Sequence, residues 1–131
     1  MSSMQVTSQP FGDATVARAV GRVDHASAAA FEAALMPLIA DLGACNGTLV
    51  LDFSGVDYIS SVGLRALMIA AKQMREHKAQ LIVTALQGVV AEIFAISRFD
   101  RILTVTPTLD DALALCSPPA LAQYRGTGSR P

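Results

Sequence analysis

The chain has 131 residues, of which 52% are hydrophobic and 16% are charged, and its formal net charge is −1. This size and composition fit one folded domain with a single core, and they exclude a disordered acidic or basic tail. The sequence contains no concentrated run of lysine and arginine and few aromatic residues, so we expect no direct binding of nucleic acid.

The beginning of the chain lacks the basic start and the apolar run of a secretory signal. Charged residues or glycine interrupt every apolar stretch well before the roughly 20 residues that a membrane span needs. Two cysteines, Cys45 and Cys116, form neither a CxxC pair nor a disulfide framework. The sequence therefore predicts a cytoplasmic protein with reduced thiols and no membrane span.

Two weak β-type runs open the chain. Strands are predicted over Met4–Gln9 and Ala14–Gly21. The residues between them, 10–13, combine proline, glycine and aspartate, which favour a turn. A strand, a turn and a second strand are therefore expected before the first helix.

The first helix follows a capping candidate, because Asp24 or Ser27 can accept hydrogen bonds from free amides of a first turn. Proline at position 37 falls inside the helical pattern and is expected either to kink the helix or to shorten it. The apolar face of this helix is formed by Phe31, Leu35, Leu38 and Leu42.

The run TLVLDF, Thr48–Phe53, is nearly continuous in apolar residues and predicts a central parallel strand covered on both faces. A loop is predicted over Ser54–Ser61, and a second helix follows it. Charged residues occupy the opposite side of that helix, and His77 and Lys78 close it. Its apolar positions are Leu64, Leu67, Met68 and Ala71.

The remaining pattern again alternates between strand and helix. It predicts a strand over Gln80–Leu86, a short buried helix over Val89–Ser97 and a strand over Ile102–Thr106. A last helix begins at Thr108, and residues 118–131 are expected to form a flexible tail after a domain over residues 1–117. Strands alternating with helices predict an α/β fold with a mostly parallel sheet of four to five strands and about four packed helices. The inward stripe of the last helix is expected to be Leu109, Ala112, Leu113 and Cys116.

No catalytic or metal-binding set emerges from the residues. The GxSxG elbow of serine hydrolases and a phosphate-cradling glycine loop after a strand are both missing. His25 lies in a loop and His77 in a charged run, and the histidines and cysteines lack the paired spacing of a zinc site. We therefore expect no enzyme activity, no cofactor and no metal.

The most informative segment joins the central strand to its helix. Ser60 and Ser61 stand where the first amides of the helix are unpaired, so ordinary capping explains them without any function. A phosphate at this position would also be tolerated, because it would meet free amides and the positive end of the helix dipole. It would still bring about −1.5 to −2 of charge to the surface.

The run DFSGVDYISSVGLRAL resembles the signature of the STAS family, the sulfate-transporter and anti-sigma-factor-antagonist domain. In stand-alone bacterial members the signature is a strand, Asp-Leu-Ser, a short loop, Asp-Ser-Ser-Gly-Leu and a helix. A second segment, 21–27, resembles the Gly-x-Leu-Asp segment before the first helix of the family. The order of elements matches over about residues 5–116. Aligned on Gly63 and Leu64, the chain has Ser60 in place of the Asp, Ser61 at the phosphorylated serine and Val62 at the second serine.

The resemblance implies a regulatory protein whose unphosphorylated form docks on an anti-sigma factor that is also a serine kinase, and thereby releases a sigma factor. Phosphorylation of Ser61 with ATP would break the complex, and a serine phosphatase would reset it. Ser60 stays an alternative acceptor, and a homodimer stays open. The expected docking residues are Asp24, His25, Ser27, Asp57, Tyr58, Ser60, Gly63 and Arg65.

Two rival interpretations stay open. Some small STAS proteins are accessory subunits of an ABC-type lipid transporter, and others serve in stressosome-like or chemosensory complexes. From a different class, a small serine hydrolase would use Ser61 with His25.

Overall fold

The computed structural model describes residues 4–11, 14–44, 47–116 and 122. Its strands are β1 (Gln5–Phe11), β2 (Ala14–Val23), β3 (Thr48–Ile59), β4 (Gln80–Thr84) and β5 (Thr104–Thr106). Its helices are α1 (Ala28–Ala44), α2 (Ser61–Glu76), α3 (Gly88–Ile96), the one-turn α4 (Phe99–Ile102) and α5 (Leu109–Cys116).

The strands form one sheet in the order β1-β2-β3-β4-β5. The β1–β2 pair is antiparallel, and the three pairs β2–β3, β3–β4 and β4–β5 are parallel. The predicted α/β class and the mostly parallel sheet are therefore confirmed, with five strands and one short helix, α4, beyond the four predicted. Among the described residues, no helix combines the length and the apolar character needed to cross a membrane.

The sheet separates two apolar clusters of unequal size. Leu49, Leu51 and Phe53 of β3 belong to the larger cluster, which also contains the buried side chains of α1, α2 and α3. Val50 of the same strand belongs to the smaller cluster with Ala112 and Leu113 of α5. The prediction that this strand is covered on both faces is confirmed.

Helix α1 runs for 17 residues and continues through Pro37, so the proline does not shorten it. Phe31, Leu35 and Leu42 of the predicted apolar face are buried, and Leu38 packs partly against the same cluster. The apolar stripe holds α1 on the sheet despite the hydrogen bond that proline cannot donate.

The predicted loop over Ser54–Ser61 is wrong, because β3 continues as a strand to Ile59. This extension pairs with β2, which likewise runs two residues beyond the predicted end, to Val23. Two register shifts accommodate the pairing, and at each of them β3 has one residue more than β2. Serine, glycine and aspartate in this segment favour a turn, but burial of Val56 and Ile59 prevails over that local preference.

Other boundaries also differ. Strand β1 includes Pro10 and Phe11, which were predicted to turn, and proline is tolerated there because β1 is an edge strand. Strand β4 ends at Thr84, before Ala85, whose φ is +64°. Helix α3 is only half buried rather than largely buried, since Ile96 is 81% exposed.

Several predictions fall outside the described residues. They concern Gly12 and Asp13 of the first turn, Cys45 and the side chain of Cys116. The proposed tail over 118–131 does so as well, apart from position 122, and the limits of the predicted domain stay a prediction.

Candidate functional site

The start of α2 gives its two serines different environments. Ser60 is the N-cap residue, with extended backbone (φ −89°, ψ 173°), and its Oγ accepts a hydrogen bond from the Gly63 amide at 3.2 Å. Only 7% of Ser60 is exposed. Ser61, the first helical residue, is exposed to solvent. The structure thus places one hydroxyl in a capping role and presents the next one at the surface.

The helix start lies directly against the carboxyl end of β2. The Ser60 amide donates to the Val23 carbonyl oxygen at 2.8 Å. A Cβ added at Gly63 would come within 2.6 Å of Val23 Cγ1 and 2.8 Å of Ile59 Cγ1. Glycine at position 63 therefore allows an approach that a side chain would prevent, and this approach sets the position of both serines.

A hydrogen-bonded turn follows β2 and leads into α1. Asp24 Oδ1 accepts from the Ala26 and Ser27 amides, each at 3.1 Å, and the Asp24 amide donates to Ser27 Oγ at 2.9 Å. This reciprocal pairing is a capping box with serine in place of the usual glutamate, so both predicted capping residues take part. The bond to the Ser27 side chain is the main reason that the pKa of Asp24 is lowered below its usual value of 3.8.

Arg22 connects this turn to the end of β3. Its guanidinium carbon lies 4.6 Å from the centre of the Tyr58 ring, and its Nε lies 3.6 Å from Asp24 Oδ2. Arg22 and Tyr58 are also partners in the β2–β3 register. The arginine therefore contacts two of the predicted docking residues, Asp24 and Tyr58.

A shallow cavity of about 320 Å³ lies between the first turns of α1 and α2. Its apolar surface comes mainly from alanine, valine and isoleucine side chains, and its polar side chains are His25, Glu32 and Arg65. The residues that line it are His25, Ala28, Ala29, Glu32, Val62, Arg65, Ala66 and Ile69. A concave apolar surface with few polar groups is a suitable place for a side chain or a short helix of another protein.

The structure brings most of the predicted site residues to one end of the sheet. His25 and Arg65 line the same cavity, and the Asp24–Ser27 turn and the α2 start are joined through Val23. Asp57 is exposed on β3, and its carboxylate forms no ion pair with any of the described residues.

Sequence reasoning missed Arg22 and Glu32 as parts of this surface. Arg22 stands inside the quoted segment 21–27, but its contact with Tyr58 depends on β3 continuing as a strand to Ile59. Glu32 lies one turn into α1 and carries no sequence signal of its own.

The alternative interpretation as a serine hydrolase, with Ser61 and His25, finds no hydrogen-bonded pair among the described residues. No hydrogen bond joins Ser61 to His25 there, and neither side chain has a carboxylate orienting it. An exposed serine hydroxyl at a helix start is instead accessible to an external enzyme, and it can accept a phosphate without displacing the cap.

The mostly parallel sheet with helices on both faces and a capped helix start at one end defines a small α/β domain. A family model described as "STAS domain" matches residues 5–112. The chain therefore belongs to the STAS domain family.

Two relatives match this chain over nearly their whole length. BtrV of Bordetella bronchiseptica, provisionally named an anti-sigma factor antagonist, is 35% identical over 111 residues, covering 85% of this chain and 93% of that protein. The crystal structure of an anti-sigma factor antagonist from Mycobacterium paratuberculosis has a TM-score of 0.77 at 26% identity, covering 87% of this chain and 94% of that chain.

A more distant structure shows the same fold. It is that of the Bacillus cell fate determinant SpoIIAA in the phosphorylated form, with a TM-score of 0.58 and 15% identity. The match covers 86% of this chain and 97% of that chain.

Proposed function

We propose that this chain is an anti-sigma factor antagonist that docks through the surface around the start of α2 and is switched off by phosphorylation of Ser61. The observation that carries the proposal is the division between the two serines: Ser60 is buried and caps the helix, whereas Ser61 is exposed. The similarity to BtrV and to the Mycobacterium paratuberculosis protein supports the antagonist role.

The environment of Ser60 argues against it as the acceptor. A phosphate on its Oγ would bring a dianion to a residue that is 7% exposed and whose hydroxyl already accepts from the Gly63 amide, so the cap would have to rearrange to hold the larger group. Losing an N-cap costs about 1 kcal/mol, and burying an unpaired charge costs more. By the family resemblance, Ser60 stands where the signature has aspartate. Serine and aspartate are both among the best N-cap residues, so the substitution conserves the capping chemistry.

A phosphate on Ser61 would meet a different environment. The first turn of α2 contains no acidic residue, and the helix dipole favours negative charge there. The fold therefore tolerates the modification, while about −1.5 to −2 of charge appears beside the cavity between α1 and α2. A docked partner must pair or desolvate that charge, and failure to do so weakens binding.

Purified anti-sigma factor kinases of the source organism, tested one at a time, provide the experiment. With ATP, the cognate kinase should phosphorylate the wild type and Ser60→Ala but not Ser61→Ala, as mapped by mass spectrometry. Phosphate found on Ser60, or incorporated equally into Ser61→Ala, would contradict the proposed acceptor.

Docking is tested with Ser61→Asp and the neutral control Ser61→Asn, which has nearly the same shape. The charged variant should bind the unmodified partner about tenfold or more weakly than the neutral one. Both variants should melt close to the wild type because the position is exposed and an acid is favourable at a helix start. Equal affinities of the two variants would refute a charge-based switch.

A further inference from the structure

Arg65 lies one helical turn after Ser61 on α2 and is exposed. Residues at i and i+4 of a helix are neighbours on its surface, and an acid preceding a base at this spacing is the favourable orientation. Arg65 forms no ion pair with any of the described residues, although it lines the cavity between α1 and α2. Its guanidinium is therefore available to a negative charge at position 61.

The other charged or titratable groups around this position are already engaged or lie on other elements. Arg22 is held between Tyr58 and Asp24. His25, in the turn between β2 and α1, and Glu32, on α1, both line the cavity. Asp57 is exposed on β3.

The backbone of the described residues leaves two amides without an acceptor at the same place. Val23 accepts from the Ser60 amide, Ser60 Oγ accepts from the Gly63 amide, and the Ser60 carbonyl accepts from the Leu64 amide. The amides of Ser61 and Val62 are the two in this turn for which the described residues supply no acceptor.

We propose that Arg65 is the intramolecular counter-charge of phosphorylated Ser61, so that phosphorylation withdraws this cation from the docking surface. This inference rests on the proposed function. In the unmodified protein, Arg65 offers a positive group at the cavity, suited to a carboxylate of the anti-sigma partner. After phosphorylation the arginine pairs within its own helix, and the local charge becomes more negative by about 1.5 to 2. One modification thus removes an attractive group and adds a repulsive one.

Phosphoserine incorporated genetically at position 61 permits a test that needs no partner. The pKa of the phosphate, followed by ³¹P NMR, should rise by about 0.15–0.4 pH units in Arg65→Gln, since loss of the cation disfavours the dianion. Arg65→Lys should stay close to the wild type, because the charge is kept. The matched control is Lys72→Gln, which removes an exposed cation farther along the same helix and should leave the phosphate pKa unchanged.

The titration is repeated in a His25→Gln background, because an imidazole can titrate in the same range as a phosphate monoester. The proposal that Arg65 is the counter-charge is refuted if the phosphate pKa is the same in Arg65→Gln as in Lys72→Gln. Equal values for Arg65→Gln and Arg65→Lys overturn it as well.

A separate binding measurement keeps this inference distinct from the proposed function. If phosphorylated wild type binds the anti-sigma kinase as tightly as the unmodified protein, the proposed switch fails, whatever Arg65 does. If phosphorylation abolishes binding but the phosphate pKa does not change when Arg65 is replaced, the proposed switch holds and only the counter-charge role of Arg65 is refuted.

Discussion

Replacing Gly63 by alanine tests the contact that places the candidate site. In the wild type, the first turn of α2 lies so close to the sheet that the new methyl group would be 2.6 Å from Val23 Cγ1 and 2.8 Å from Ile59 Cγ1. Val23 is fully buried and Ile59 is 1% exposed. Both are β-branched, so neither side chain can rotate freely to make room.

The size of the effect follows from two opposing terms. Overpacking a buried contact costs about 1–3 kcal/mol, and replacing glycine by alanine inside a helix returns up to about 1 kcal/mol. We therefore expect Gly63→Ala to lower the free energy of unfolding by about 1–2 kcal/mol. For a domain of this size, that corresponds to a fall in Tm of roughly 4–8 °C.

Equilibrium urea unfolding followed by far-UV circular dichroism measures this change. Gly43→Ala is the comparison: its added Cβ would lie 2.8 Å from Cγ of His77, an exposed residue at the end of α2, so this contact lies at the surface and not against the buried sheet. The control should change the free energy of unfolding by less than about 1 kcal/mol. A Gly63→Ala protein as stable as the wild type, with the same denaturant slope, would show that the close approach of α2 to the sheet is not required.

Two further predictions concern the capping residues at the starts of α2 and α1. Ser60→Ala should cost about 1 kcal/mol of stability through loss of the cap, whereas Ser61→Ala should stay within about 0.5 kcal/mol of the wild type; equal losses in urea unfolding would refute the division of roles. The pKa of Asp24 is lowered in the folded state, chiefly by the hydrogen bond with the Ser27 side chain. The carboxylate therefore stabilises the fold at pH values above its unfolded-state pKa of 3.8, and this stabilisation is lost as the pH falls through the folded-state pKa. Asp24→Asn keeps the capping oxygen and should show a smaller loss of stability on acidification; parallel curves for the two proteins would contradict this.

The fold could be predicted because hydrophobic periodicity and burial agree over most of the chain. The run Thr48–Phe53 is apolar at nearly every position, and the structure covers both of its faces. The continuation of β3 to Ile59 was missed because Ser54, Gly55 and Asp57 are locally turn-forming. Pairing with β2 overrides that preference, and a partner strand distant in sequence is invisible to a local pattern.

The candidate site was predictable where it depends on local chemistry. Helix-start residues have strong propensities, so Ser60 and the Asp24–Ser27 turn could be located from the sequence. The division between a buried Ser60 and an exposed Ser61 could not, because it depends on how closely Gly63 allows α2 to approach Val23. The cavity partner Glu32 was missed for a similar reason, since only the packing of α1 beside α2 brings it there.

The unequal covering of the two sheet faces has a consequence for motion. One face carries α1 to α4, whereas the described residues cover the other only with α5, eight residues long, through a small cluster that includes Val50 and Ile82. Detaching α5 exposes far less apolar surface than detaching the opposite layer, so its amide protons should exchange with solvent through smaller and more frequent openings. Helix α5 should therefore open locally while the layer that presents Ser61 stays closed.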